Sequence, residues 1–189
     1  LLFNGNSKSP SDLALAVETG IRVSVDSLDE LYQLEDIAGR AGETVDIAFR
    51  VNPAIDVPTH PKIATGLATS KFGVPADEIL DAYRHALAAE HINPIGIHCH
   101  IGSQILDVEP FTHEVDVLIE VARDLIDMGV DLSFIDIGGG LGIPYRRETD
   151  VAPTPEDYAE AVMPPFLEGI RELGIEPELW VEPGRWLVA

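Results

Sequence analysis

Along the 189 residues, short apolar runs alternate with longer stretches in which apolar positions recur every three or four residues. The short runs fall at residues 1–4, 22–26, 45–52, 94–100, 132–137 and 179–182, and most carry Val and Ile. That pattern predicts six strands. The stretches between them carry helix signals. Pro10 and Gly20 bracket "PSDLALAVETG", the usual order of proline at the start and glycine past the end. "SLDE" from Ser27 to Glu30 reads as a capping box. Phe111, Val115, Leu118, Ile119, Ala122, Leu125 and Ile126 share one helical face. The pair Pro164-Pro165 predicts a break that divides 154–173 into two helices.

Strand and helix in strict alternation predict an α/β fold with a parallel sheet covered by helices. Two architectures satisfy that pattern, an open doubly wound sheet and a (β/α)8 TIM barrel. The polar residues separate them. Every predicted strand runs into unusual chemistry at its C-terminal end: "NGNSK", "DS", "RVNP", "HCHIGSQ", "DIGGGLG" and "EPGR". A barrel gathers its site from all strand ends, whereas an open sheet concentrates it at one switch point. The expectation is therefore a partial barrel of about six of the eight β/α units, its strand ends converging on one cup. The irregular stretch 52–73 is long enough to be an active-site loop.

The chain lacks an initiator Met and stops inside the apolar run "WLVA", so it reads as an internal piece of a longer protein. A single Cys excludes an internal disulfide and fits a reducing, cytoplasmic setting. No apolar run approaches the ~20 residues that span a bilayer, so no membrane role is expected. The net charge of −21 argues against nucleic acid and anionic lipid as partners. Only Lys8, Lys62 and Lys71 are lysines, and so acidic a surface also fits adaptation to high salt.

"DIGGGLG" follows a strand, and successive glycines let backbone N–H groups form a nest for an anion. A dinucleotide fingerprint fails, because Gly138 and Gly140 fit but Ile143 occupies the third position. A Walker A motif fails for want of the Lys and Ser/Thr. What fits is one phosphate held by Gly138, Gly139 and Gly140. In "EPGR", Pro183-Gly184 turns the chain, and the planar fork of Arg185 suits a phosphate or carboxylate. On a strand, His98 and His100 share a face and Cys99 points away. Three readings of that pair stand: a metal site awaiting a third ligand, two core histidines, or a flat ring against a ligand with Ser103 supplying a hydroxyl. The other four histidines have no ligand spacing, so no metal is expected.

Together "FNGNSKS", "VDSLDEL", "RVNP", "THPKIATGLATSKFG", "GIHCHIGSQI", "DIGGGLGIPY" and "VEPGR" resemble, in order and spacing, the diaminopimelate decarboxylases. That group belongs to the pyridoxal-phosphate decarboxylases with an alanine-racemase-like barrel, alongside the ornithine and arginine decarboxylases. The resemblance covers essentially the whole chain, and the Gln of "HCHIGSQI" points to the diaminopimelate group. It implies pyridoxal 5'-phosphate as cofactor, with the ring of His100 stacked on it. It further implies that Ser103, Gly140 and Arg185 hold the phosphate and that Glu182 pairs with the pyridine nitrogen. Arg185 would also touch the substrate carboxylate. The implied reaction is decarboxylation of meso-diaminopimelate to L-lysine by a homodimer. A decarboxylase of arginine or ornithine, or a non-catalytic binder of the cofactor, would use the same cup. The resemblance places the cofactor-binding lysine and the first two barrel strands upstream of Leu1. It places a β domain, with a proton-donating cysteine, downstream. Residues 1–189 are thus expected to be an incomplete cofactor-binding barrel, inactive alone. Cys99 matches no motif and reads as packing.

Overall fold

The computed structural model of the protein describes residues 1–55, 72–146 and 151–189. Six β/α units follow one another: β1 (Leu2–Phe3) and α1 (Pro10–Thr19), β2 (Arg22–Val25) and α2 (Leu28–Ala41), then β3 (Val45–Asn52), with a short β4 (Val74–Pro75) beside it, and α3 (Ile79–Ala88). Next come β5 (Ile92–Cys99) and α4 (Glu109–Asp127), β6 (Phe134–Asp136) and α5 (Pro155–Leu173), and β7 (Glu178–Trp180) and α6 (Gly184–Val188). The strands are parallel in the order β1-β2-β3-β5-β6-β7, with β4 paired to β3. This is a half-barrel, as the strand-end chemistry predicted.

The helices start and stop where their caps dictate. Ser9 and Asp12 form a reciprocal capping box on α1, and Gly20 closes it in the left-handed conformation with φ 67°. The box expected at Ser27 is only half made. Ser27 accepts the N–H of Glu30, but the Glu30 carboxylate turns instead to Lys8 Nζ at 2.9 Å, because a cation 1% exposed requires a partner.

The break expected at Pro164-Pro165 does not occur, and α5 runs through both prolines. Pro165 has no N–H for the carbonyl of Ala161, one turn back. The Thr112 hydroxyl on α4 donates to that carbonyl at 3.2 Å, replacing the lost bond. Packing of α5 on α4 thereby overrides a local signal. Two further elements were not expected: β4, and α6 built from the residues after "EP". The segment 56–71, most of the expected active-site loop, lies outside the described residues.

Inside the half-barrel, side chains form layers two residues apart along each strand. In the lower layer Phe134 stacks on Trp180 with ring centroids 4.1 Å apart, and the Arg22 guanidinium lies over both rings. Gly96 pairs with Phe134 in register, and any Cβ there would collide with that ring. One step up each strand, the apolar plug gives way to Ser24, His98, Asp136 and Glu182. The plug is a floor, and the polar layer above it is the site. Outside the sheet the helices bury an apolar layer that includes Leu13, Leu31, Tyr83 and Phe111. Tyr83 packs edge-on against Phe49 and donates to the Gly96 carbonyl at 2.5 Å.

Candidate active site

His98 is fully buried on β5, where Arg50 of β3 and Asp136 of β6 are its register partners. Its Nδ1 lies 2.9 Å from Ser24 Oγ on β2. Its Nε2 lies 3.2 Å from Asn4 Nδ2 and 3.7 Å from Glu182 Oε2. Asn4 follows β1 and Glu182 follows β7, so residues from both edges of the sheet meet here. Asn4 Nδ2 donates to both Glu182 oxygens, at 3.1 Å each. Cys99 points the other way, fully buried beside Glu114 of α4. His98 and Cys99 therefore alternate as expected, with Cys99 in packing, and His100 lies one residue past the strand.

The glycines after β6 are set by close approach. Gly138 accepts the Glu182 N–H at 2.6 Å, and its own N–H goes to Asp136 Oδ1 at 2.8 Å. A Cβ on Gly138 would stand 2.5 Å from the Cys99 carbonyl, and one on Gly139 would fall on the Glu182 carbonyl. The Gly139 N–H instead donates to His100 Nδ1 at 3.1 Å, which fixes the imidazole at the end of β5. Gly140 sits at φ 122°, backed by the Gly102 carbonyl. Mutual bonds between Ile105 and Gly140–Gly142 splice this loop to the one carrying Ser103. Gln104 clamps the splice, with its amide bonding both the carbonyl and the N–H of Ile143.

Arg185, at the start of α6, donates through Nε and Nη2 to Ser103 Oγ at 3.0 and 2.8 Å. Its Nη1 reaches the Tyr145 hydroxyl at 2.7 Å. Gly184 allows the turn but has open space where a Cβ would lie. All the residues singled out from the sequence thus lie at one end of the sheet. His100, Ser103, Gly138, Gly139, Gly140 and Arg185 form a rim, and Glu182 lies inside it. A cavity of about 450 Å³ opens at the edge of the sheet against Leu1, Leu2, Asp136, Trp180 and Glu182, and of the residues singled out from the sequence it is Glu182 that lines it.

The electrostatics divide the two acids. The Glu182 carboxyl is held down to about 2, first by His98 and then by the Asn4 amide, against burial that pushes it up. Asp136 is pushed up to about 6 by burial, with His98 opposing and Glu182 adding to the shift. His100 is lowered to about 4 by burial, then by Arg50 and His98, so it is a neutral flat ring at pH 7. His98, Asp136 and Glu182 bring ligand atoms within 4.8 Å of one another, close enough for a metal ion. Ser24, Asn4 and the Gly138 N–H already engage those groups.

Asn4, Ser24, Asp136 and Tyr145 were not singled out from the sequence. Asn4 carries a readable signal, since it is a polar residue closing an apolar run just before a glycine turn, and Asp136 carries another as a lone acid inside the apolar run 132–137. Ser24 has none.

Comparison with known proteins bears on this geometry. The pyridoxal-binding domain of the pyridoxal-dependent decarboxylases matches residues 1–189. The diaminopimelate decarboxylase of Archaeoglobus fulgidus is 52% identical over 188 residues, 100% of this chain and 44% of that protein. The solved diaminopimelate decarboxylase of M. jannaschii, in complex with L-lysine, is 39% identical with a TM-score of 0.90, over 100% of this chain and 44% of that one. A lysine/ornithine decarboxylase from Vibrio vulnificus shares the fold alone, at 22% identity and a TM-score of 0.73. The chain spans under half the length of these relatives.

Proposed function

Since the chain belongs to the pyridoxal-dependent decarboxylases through their pyridoxal-binding domain, we propose that it is the cofactor-holding part of a diaminopimelate decarboxylase. The reaction would release CO2 from meso-diaminopimelate and leave L-lysine. The observation that carries the reading is the joint presence of an ionised Glu182 inside the cup and an Arg185–Ser103 pair at its rim. The first suits a ring nitrogen and the second a phosphate, at opposite ends of one flat molecule.

The residues fit pyridoxal 5'-phosphate. Backbone at Gly138 and Gly139 packs against the Cys99 and Glu182 carbonyls too closely for any side chain, and the bonds between Ile105 and Gly140–Gly142 bring the following loop to the one that carries Ser103. Arg185 offers a planar fork held in place by Ser103 and Tyr145. Ser103, Gly140 and Arg185 would bind the phosphate, and the neutral His100 would lie flat on the ring. When bound, the cofactor supplies an electron sink for the pair left behind as CO2 departs. Glu182 would keep a proton on the ring nitrogen, because a carboxylate with a value of about 2 stays anionic at working pH. Arg185 would also meet a substrate carboxylate. The parent would act as a cytoplasmic homodimer on a small amino acid.

Arginine and ornithine as substrates are disfavoured by the 24% identity to an arginine decarboxylase and the 22% identity to the lysine/ornithine enzyme, against 52% to a diaminopimelate decarboxylase. The test is a substrate panel on the full-length, cofactor-loaded parent. It should form L-lysine and CO2 from meso-diaminopimelate, with kcat/KM for arginine and ornithine at least about a hundredfold lower. Equal or better turnover of either would overturn the assignment.

A further inference from the structure

Resting on the reading that Glu182 faces the ring nitrogen, we propose that Asn4 is a positioning residue that fixes the Glu182 carboxylate, with His98 as the acceptor that holds Asn4. The network runs across the barrel mouth from β2 through β5 and the end of β1 to the end of β7.

The orientation of the Asn4 amide is determined. Its Oδ1 accepts the N–H of Gly5 at 2.8 Å, and Gly5 stands at φ 134°, a conformation that favours glycine. A flipped amide would lose that bond and set its oxygen against an anionic carboxylate. The Nδ2 group therefore faces inward, with two hydrogens to place. One is shared between Glu182 Oε1 and Oε2, at 3.1 Å each. The other points at His98 Nε2, 3.2 Å away.

That second contact assigns the imidazole tautomer. If Nε2 carried a proton, donor would face donor. Nε2 must offer its lone pair, so the ring proton sits on Nδ1 and is donated to Ser24 Oγ at 2.9 Å. The 3.7 Å between His98 Nε2 and Glu182 Oε2 is too long for a hydrogen bond, so His98 orients the carboxylate through the Asn4 amide, and its direct effect on Glu182 is electrostatic. Glu182 is thus oriented by a neutral donor, and its charge remains available to the ring nitrogen. Lys8 stabilises the turn from the other side. It is 1% exposed, donates to the Gly5 carbonyl and is paired to Glu30.

Asn4→Asp is nearly isosteric and replaces the donor with an acceptor. It places a second carboxylate against Glu182 and should drive a proton onto the pair. The test uses the full-length protein and compares wild type, Asn4→Asp, Asn4→Ala and Glu182→Gln. The first readout is the 15N shift of labelled cofactor, which reports whether its ring nitrogen is protonated. Asn4→Asp should lose the protonated signal as Glu182→Gln does, with kcat down about tenfold or more and KM little changed. If Glu182→Gln alters the signal and Asn4→Asp leaves it as in wild type, the role of Asn4 is overturned and that of Glu182 stands. If Glu182→Gln leaves the signal unchanged, the reading beneath falls. A second readout needs no variant to fold. In wild-type apoprotein, 15N shifts should show His98 protonated on Nδ1 and bare on Nε2, and a protonated Nε2 would overturn the proposal.

Discussion

Glu114 lies on the core face of α4, and its carboxyl is fully buried beside Cys99. Neither oxygen makes a hydrogen bond of ordinary geometry among the described residues, and the Cys99 thiol beside it is a weak donor. Burial pushes this carboxyl well above its ordinary value of 4.5, with Cys99 and Arg50 opposing and Asp136 adding. The folded protein therefore holds a proton that the unfolded chain releases. Below about pH 4.5 both states are protonated and the group contributes nothing to the pH dependence. Above it the unfolded state is favoured progressively, until the pH reaches the folded value. One proton corresponds to about 1.4 kcal/mol per pH unit, or about 2.7 kcal/mol across two units. Glu114→Gln keeps the shape and cannot ionise. Urea titrations of the full-length protein across the neutral range should show wild-type stability falling with pH more steeply than the variant's, by about that slope. The slope is the decisive quantity, because the new amide hydrogens carry their own cost of about 1–3 kcal/mol when unsatisfied. Parallel curves would refute the claim that Glu114 is buried with its proton.

Two other outcomes follow from the same structure. Gly139→Ala sets a methyl on the Glu182 carbonyl, so it should weaken cofactor binding, measured by fluorescence titration of apoprotein, at least about tenfold. Gly184→Ala, where space is open, should bind nearly as wild type, and equal losses at both would mean that close approach is not the cause. With −21 net charges on these 189 residues, the melting temperature of the full-length protein should rise with KCl as the Debye length falls from about 30 Å at 0.01 M to about 3 Å at 1 M. A flat or falling curve would remove the salt-adaptation reading of the composition.

Much of the fold is local in origin and could be read from the chain. Val45, Ile47, Ala48, Phe49 and Val51 mark a strand from Val45 to Asn52, and the strand has the predicted bounds. The rim residues were legible because glycine runs and "EPGR" are chemically unusual. What escaped the sequence depends on partners far along the chain. Asn4 meets Glu182 across 178 positions, and Ser24 meets His98 across 74. Pro165 is tolerated only because Thr112, on another helix, answers Ala161. Glu114 did leave a trace. It falls between Phe111 and Val115 on the apolar stripe, where an acid breaks the pattern.

The central claim is that the strand ends form one cofactor cup with Glu182 at its base. A crystal structure of the full-length protein with pyridoxal 5'-phosphate tests it most directly. The ring nitrogen should lie within about 3 Å of a Glu182 oxygen. His100 should lie flat against the ring, with the phosphate between Gly140, Ser103 and Arg185. A cofactor whose ring nitrogen faces any other group, or whose phosphate lies away from Arg185, would contradict it.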